Sequence, residues 1–99
     1  MHARLTTVEF DTSRHRQEAL ELISAAVQAV RSMPGFEAAY YFDVDERHIV
    51  SVLIFDSEAD LLRATGSDYE VLQMRARDKG ARYTHTDEYP VMAFATNTE

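Results

Sequence analysis

The sequence contains no cysteine and no tryptophan, and its single asparagine is Asn97. Without cysteine the chain cannot form disulfides, use a thiolate nucleophile or bind metal through a cysteine thiolate. No apolar run approaches the roughly 20 residues that a membrane-spanning helix needs, and the first ten residues lack the apolar segment of a secretory signal. These absences predict a soluble, cytoplasmic protein with no membrane partner.

Positive charge is also scarce. The sequence has 10 Lys and Arg residues and 17 Asp and Glu residues, which gives a formal net charge of −7. A chain of this charge repels phosphate backbones on average, so we expect no nucleic-acid partner. The low counts of glycine, three, and proline, two, argue against a fibrous or disordered class. The 99 residues predict one domain over 1–99, small enough that oligomerisation would help its stability.

The strongest signal present is a β-hairpin from Phe36 to Phe55. Two runs rich in aromatic and β-branched residues flank the charged segment 43–47. With the turn centred on 45 and 46, the numbers of facing residues sum to 91, which places Tyr40 opposite Ser51. Both faces of this hairpin are mostly apolar, and a chain this short can cover only one of them with its own helices. The second face predicts a homodimer in which two sheets pack together.

The predicted register assigns the two faces of the hairpin to different roles. The face toward the helices and a ligand pocket would carry Phe36, Ala38, Tyr40, Ser51 and Phe55. The face toward the partner's sheet would carry Glu37, Ala39, Tyr41, Val50, Val52 and Ile54.

The rest of the chain alternates between strand and helix patterns. The predicted elements are a strand over 3–10, a helix over 16–33, a short helix ended by Gly66, a helix from Ser67 to about Lys79, and a strand over 82–96. Ser57 and Ser67 are the predicted caps of the two later helices. Pro90 removes one ladder donor, so the last strand should show a bulge, an edge position or a change of partner there.

Two local features accompany this element order: Met33-Pro34-Gly35-Phe36 closes the first helix, and a strand runs into the segment 55–64. Together they resemble the antibiotic-biosynthesis-monooxygenase-like (ABM) superfamily of dimeric α+β barrels. The resemblance covers nearly the whole chain. It implies an α+β, ferredoxin-like antiparallel sheet with helices on one face, and a homodimer formed by the other face. It also implies a ligand pocket between each sheet and its own helices.

The superfamily contains cofactor-independent oxygenases of polyketide-type aromatics, heme-degrading enzymes, isomerases and proteins without demonstrated activity. The oxygenases carry Asn-x-x-x-Trp on the third strand, where this sequence looks like Ser51 and Phe55. Heme-degrading members carry a histidine on the following helical segment, and none occurs over 56–79. The resemblance therefore disfavours heme degradation and implies a cofactor-independent monooxygenase, with no cofactor, as the leading function.

Four residues are predicted to line the pocket: Tyr40, Ser51, Phe55 and Tyr69. A phenol can contact an aromatic ligand while donating a hydrogen bond to a ligand oxygen. The same tyrosines could instead fill the core, and Tyr69 lies on an apolar helical stripe that favours this second interpretation. The expected ligand is a small apolar or aromatic molecule.

His85 is the candidate catalytic acid or base, because alternation places it on one strand face with Tyr83 and Asp87, whose carboxylate could fix its tautomer. His2, His15 and His48 are interpreted as exposed or singly bonded. A metal site made of His85, Asp87 and Glu88 is disfavoured, because the side chains of His85 and Glu88 would lie on opposite strand faces.

Three functions stay open on this reasoning. In the first, a bound phenol or enol loses a proton and the carbanion reduces O2, while the pocket desolvates and orients the anion. The second is a non-catalytic dimeric module that binds a ligand or a partner. The third is an isomerase or lyase that uses His85 as base.

Overall fold

A computed structural model describes residues 1–11, 16–66, 68–93 and 95. Within these ranges the chain forms four strands and three helices in the predicted order. The elements are β1 (His2–Phe10), α1 (Arg16–Val30), β2 (Phe36–Asp45), β3 (His48–Phe55), α2 (Glu58–Thr65), α3 (Asp68–Asp78) and β4 (Ala81–Pro90). His15 and Ser67 lie outside the described residues, so the cap predicted at Ser67 is not among the features seen.

The strands form one antiparallel sheet in the order β2-β3-β1-β4, so β1 and β3 are central and β2 and β4 are edges. This is the ferredoxin-like α+β arrangement that the sequence predicted. Pro90 lies at the end of an edge strand, where its missing donor costs nothing to the ladder. The strand ends there, earlier than predicted, and the Val91 N–H donates to the carbonyl of Met1 at 2.8 Å. Residues 94 and 96 of the predicted strand lie outside the described residues.

The hairpin register differs from the prediction by one residue over most of its length. Phe36 faces Phe55 as predicted, but Tyr40 faces Val52 and Tyr41 faces Ser51. The cause is a pair of irregularities in β2, between Phe36 and Ala38 and between Asp43 and Asp45. Each bulge adds one residue to β2, and one extra residue moves every following side chain to the opposite face.

All three helices pack on one side of the sheet, called here the helix face. Two buried clusters join them to it. The first contains Val8, Phe10, Ala19, Ile23, Ile49, Ala76 and Ala81, and the second contains Ala26, Val30, Leu53, Phe55, Leu61, Ala64 and Tyr69. No described helix packs on the opposite side, called here the open face. Tyr40, Phe42 and Tyr89 are exposed there, at 47%, 53% and 54%.

The helix ends follow the predicted chemistry. The Ser57 Oγ accepts the backbone N–H of Asp60 at 3.1 Å and so caps α2, as predicted. Helix α1 ends at Val30, three residues before its predicted end at Met33, and Gly35 then turns the chain with φ +84°. Gly80 has φ +99° between α3 and β4. Both glycines hold backbone conformations that other residues rarely adopt.

None of the helices in the described ranges has the length and hydropathy required to cross a membrane.

Candidate functional site

A row of four hydroxyl side chains crosses the middle of the helix face. Cross-strand pairing aligns Tyr41 with Ser51, Ser51 with Thr6, and Thr6 with Thr86. Ser51 and Thr6 are buried, at 8% and 3% exposure, whereas Thr86 on the edge strand is exposed. The centre of the space between sheet and helices is therefore polar, while the two apolar clusters lie at its ends.

Three tyrosines surround this polar centre, and each hydroxyl has a hydrogen bond. Tyr41 donates to the carbonyl of Ile23 in α1 at 2.8 Å, and Tyr83 donates to the carbonyl of Gln73 in α3 at 3.0 Å. The hydroxyl of Tyr69 accepts the side-chain N–H of Gln73 at 2.9 Å. Gln73 thus binds one tyrosine through its amide group and another through its backbone.

Burial raises the pKa of all three phenols, because a phenolate would lose its hydration there. Neighbouring tyrosines raise the pKa of Tyr41 and Tyr83 further. Two arginines act in the opposite direction: Arg4 lowers the pKa of Tyr69, and Arg77 lowers that of Tyr83. Desolvation is the largest influence in each case, so these groups are hydrogen-bonding phenols at neutral pH and not bases.

A cleft of about 570 Å³ opens beside this cluster, between β1 and the helices α2 and α3. Its size is within the range of small-molecule sites. Its lining combines charged, polar and apolar residues: Arg4, Leu62, Thr65, Gly66, Glu70, Gln73, Met74 and Arg77. Gln73 connects the cleft wall to the Tyr69 hydroxyl behind it.

Arg4 is the residue that the sheet contributes to the cleft. Its Nε and Nη2 both donate to Oε1 of Glu88 on β4, at 2.9 and 2.6 Å. The two side chains are only 19% and 25% exposed, so the pair is partly shielded from water. A partly buried charge pair of this kind holds the guanidinium in one orientation.

Three of the four predicted pocket residues lie on the helix face, but none of the four lines the cleft itself. Ser51 is in the hydroxyl row, Tyr69 lies behind Gln73, and Phe55 is fully buried with its ring edge-on to Phe36 at 5.6 Å. Tyr40 is on the open face, where its ring stacks on Phe42 at 6.4 Å. The prediction that Tyr40 faces the helices is therefore wrong, because the bulge in β2 gives that position to Tyr41.

His85 lies on the open face, with its side chain 72% exposed and its Nε2 3.5 Å from Oδ2 of Asp87. The predicted neighbourhood with Asp87 is thus present. The prediction that His85 and Tyr83 share a strand face is wrong. His85 pairs with Thr7 and Tyr83 pairs with Val8, so residue 84 is an extra residue between them, and Tyr83 points toward α3. Glu88 binds Arg4 on the helix face, so it points away from His85 as alternation predicts.

His48 has two carboxylate neighbours, whereas the sequence interpretation gave it at most one bond. Its Nδ1 lies 2.8 Å from Oδ1 of Asp45, and its Nε2 lies 3.3 Å from Oε2 of Glu9. The hydrogen bond with Asp45 is the main reason that the pKa of His48 is raised.

Sequence reasoning missed Arg4, Gln73, Arg77 and Glu88. The position of Arg4 did carry a signal. It lies on the same strand face as the buried residues Thr6, Val8 and Phe10, at a spacing of two, and so must point toward the helices. Its partner Glu88 is 84 residues away in the chain, and no local pattern indicates that contact.

Comparison with known proteins supports the fold and leaves the activity open. No family model matches the sequence, and no curated protein does so. A candidate antibiotic biosynthesis monooxygenase from Deinococcus radiodurans is similar in structure, with a TM-score of 0.81, 14% identity and coverage of 100% of this chain and 99% of its own. HapK from Hahella chejuensis has a TM-score of 0.79 at 8% identity, with 100% of each chain covered.

SnoaB, a cofactor-independent oxygenase from Streptomyces nogalater, has a TM-score of 0.72 at 8% identity over 97% of each chain. The predicted resemblance to ABM-like proteins is thereby confirmed at the level of the fold. Identities this low show a shared architecture, and fold alone does not determine activity.

Proposed function

We propose that this chain is a homodimeric ABM-like protein that binds a small aromatic molecule in the cleft between its sheet and α2–α3, and that it oxygenates this molecule without a cofactor. The observation that carries the proposal is the cleft itself. It lies where the superfamily resemblance implies a pocket, and its wall is hydrogen-bonded to a buried tyrosine.

The cleft is more polar than the predicted apolar ligand requires. Leu62 and Met74 offer apolar contact, but Arg4 has three N–H groups that Glu88 does not bind. Burying these donors against a wholly apolar molecule would leave them without partners, at a cost of about 1–3 kcal/mol each. The proposed ligand is therefore an aromatic molecule that also carries oxygen.

In the proposed reaction the substrate itself supplies the electrons that reduce O2. An activated ring CH2 group beside a phenol or ketone loses a proton to solvent water at the mouth of the cleft, and the resulting carbanion transfers electrons to O2, whose reduction takes up protons again. One oxygen atom ends in a new C=O group and the other leaves as water, so that CH2 and O2 become C=O and H2O. The contribution of the cleft is to hold the ring, exclude bulk water and stabilise the anion.

Oxygen uptake with an anthrone, a tricyclic ketone that bears such a CH2 group, tests this function. The expected result is one O2 consumed per quinone formed, at a rate that Gln73→Ala lowers at least about tenfold by removing a wall residue and the bond to Tyr69. Arg75→Gln on the same helix is the matched control. An uptake rate equal to that of the buffer would overturn the catalytic proposal.

The homodimer is proposed from the open face. Leu5, Tyr40, Phe42 and Tyr89 all expose apolar surface there, and a stable interface buries about 800 Å² from each partner. Light scattering at micromolar concentration should give twice the chain mass of 11.3 kDa. A monomer at that concentration would contradict the proposal.

A non-catalytic binding module is the second candidate. Ser51 and Phe55 stand where the resembling oxygenases carry asparagine and tryptophan, which favours binding without turnover. Such a protein would gain thermal stability with the anthrone while consuming no O2.

The isomerase or lyase hypothesis stays a prediction. It would place its chemistry on the open face, outside the cleft, because His85 is exposed there. His85→Ala should then abolish the activity and leave the dimer intact.

A further inference from the structure

Two guanidinium groups line the cleft, and neither has its donors fully occupied by the described residues. An arginine carries five N–H donors. Arg4 uses its Nε and Nη2 on a single oxygen of Glu88, which leaves three N–H groups for another acceptor. Arg77 makes no ion pair within the described ranges, and its guanidinium lies 5.5 Å from the ring centre of Tyr83.

Arg4 is the stronger of the two, because its side chain is partly buried and Glu88 holds it in place. A charged donor in such a site makes shorter and stronger hydrogen bonds than one in open water. Arg77 is exposed on α3, so it adds attraction at longer range.

Two acidic groups must be weighed against these cations. Glu88 is already bound by Arg4, and only one of its oxygens takes part. Glu70 also lines the cleft, but it precedes Arg77 by seven residues, which is about 10 Å along the helix axis. Among the described residues, Glu70 forms no ion pair with Arg4 or with Arg77.

Resting on the proposed function, we infer that the ligand is an aromatic acid whose ionised carboxylate binds the free N–H groups of Arg4. The aromatic ring lies against Leu62 and Met74, and the amide of Gln73 meets a second oxygen on the ring. This selects an anion even though the chain as a whole carries a net charge of −7. The local geometry of one guanidinium outweighs the average field, because contact hydrogen bonds are screened less than distant charges.

The test compares 2-naphthoate with 2-naphthamide, which have the same ring and differ in charge, by calorimetric titration. The natural protein should bind the acid at least about tenfold more tightly, since a hydrogen bond to a charged group is at stake. The variant Arg4→Gln with Glu88→Gln keeps the net charge of the chain and should bring the two affinities within about twofold of each other.

Arg77→Gln and Arg75→Gln form a matched pair, because both remove one exposed cation from α3 and only Arg77 lines the cleft. Arg77→Gln should weaken the acid about threefold at low salt, and Arg75→Gln should leave it unchanged. Because both residues are exposed, both variants should fold, and circular dichroism would check this.

Equal binding of the acid and the amide by the natural protein would overturn the inference and leave the proposed function standing. Binding of neither molecule would overturn both. An equal loss in the Arg75 and Arg77 variants would also overturn the inference, since only the overall charge would then matter.

Discussion

The two faces of the sheet are built from similar strand residues but have opposite surroundings. On the helix face, Phe55 is completely buried and Tyr41 donates to the carbonyl of Ile23 at 2.8 Å. On the open face, Phe42 and Tyr40 remain about half exposed. Apolar character therefore does not separate the two faces, and the difference lies in what covers each of them.

This difference separates two sources of stability. The helix face is buried within one chain, so its contacts stabilise the fold at any protein concentration. The open face can be buried only by another molecule, and stability gained there depends on the concentration of that molecule. Substitutions on the two faces should therefore respond differently to dilution.

The largest contrast is expected between Phe55→Ala and Phe42→Ala. Phe55→Ala should lower the free energy of unfolding by about 3–5 kcal/mol, because it empties a buried site. Phe42→Ala should cost under about 1 kcal/mol in a dilute sample. Urea unfolding measures both, and equal costs would contradict the separation of the faces.

The second contrast is between Val52→Lys, at the centre of the open face, and Val71→Lys, on the exposed side of α3. In the proposed dimer, Val52→Lys should weaken self-association more than about a hundredfold, because it buries an unpaired charge. Val71→Lys adds the same charge and should not change association. Analytical ultracentrifugation distinguishes the two, and a full-strength dimer of Val52→Lys would rule out this face as the interface.

A smaller contrast compares two adjacent phenols. Tyr41→Phe should destabilise the fold by about 0.5–1.5 kcal/mol through loss of its bond to Ile23. Tyr40→Phe should lie within about 0.5 kcal/mol of the natural protein. Thermal unfolding gives both values, and the reverse order would restore the register predicted from the sequence.

The smallest effect concerns His48, at the hairpin end of the open face. Asp45 and Glu9 raise its pKa above the ordinary 6.5, while Arg47 lies beside the same carboxylates. Its contribution to stability is therefore complete below pH 6.5 and declines as the pH rises through the raised pKa. The deficit of His48→Gln in unfolding free energy should shrink as the pH rises from 6.5 through the raised pKa of His48.

The carboxylate of Asp45 limits the stabilisation by His48 at low pH. The pKa of Asp45 is lowered from 3.8, chiefly by His48, so its contribution is present above pH 3.8 and is lost as the pH falls through the lowered value. Adding Asp45→Asn should reduce the pH dependence of His48→Gln. A deficit that grows toward pH 9 would contradict the assignment.

Element order, the cap at Ser57 and the glycine turn after α1 could be predicted, because each depends on local chemistry. Ser57 and Gly35 act within a few residues of their own positions. The side-chain faces of β2 and β4 could not be predicted in full, because bulges depend on how one strand pairs with another. The prediction from alternation alone therefore assigned Tyr40 and Tyr41 to the wrong faces of the sheet. It also placed His85 on the same face as Tyr83.

The site was predicted less well than the fold. Ser51, Phe55 and Tyr69 do lie on the helix face, but the cleft is lined by other residues. The Arg4–Glu88 pair joins the two ends of the chain, and charged strand residues are ordinarily assigned to solvent. Only the arrangement of α2 and α3 beside β1 shows that Arg4 faces a cleft.

The extra residue at 84 joins two stretches of β4 that each keep their own partners on β1. Tyr83 faces Val8 and the helices on one side of it, and His85 faces Thr7 on the other, which leaves Glu88 opposite Arg4. Deleting Thr84 should therefore close the bulge and leave the side chains of both stretches on their present faces. The edge strand can lose one residue at this position without changing either the cleft or the open face.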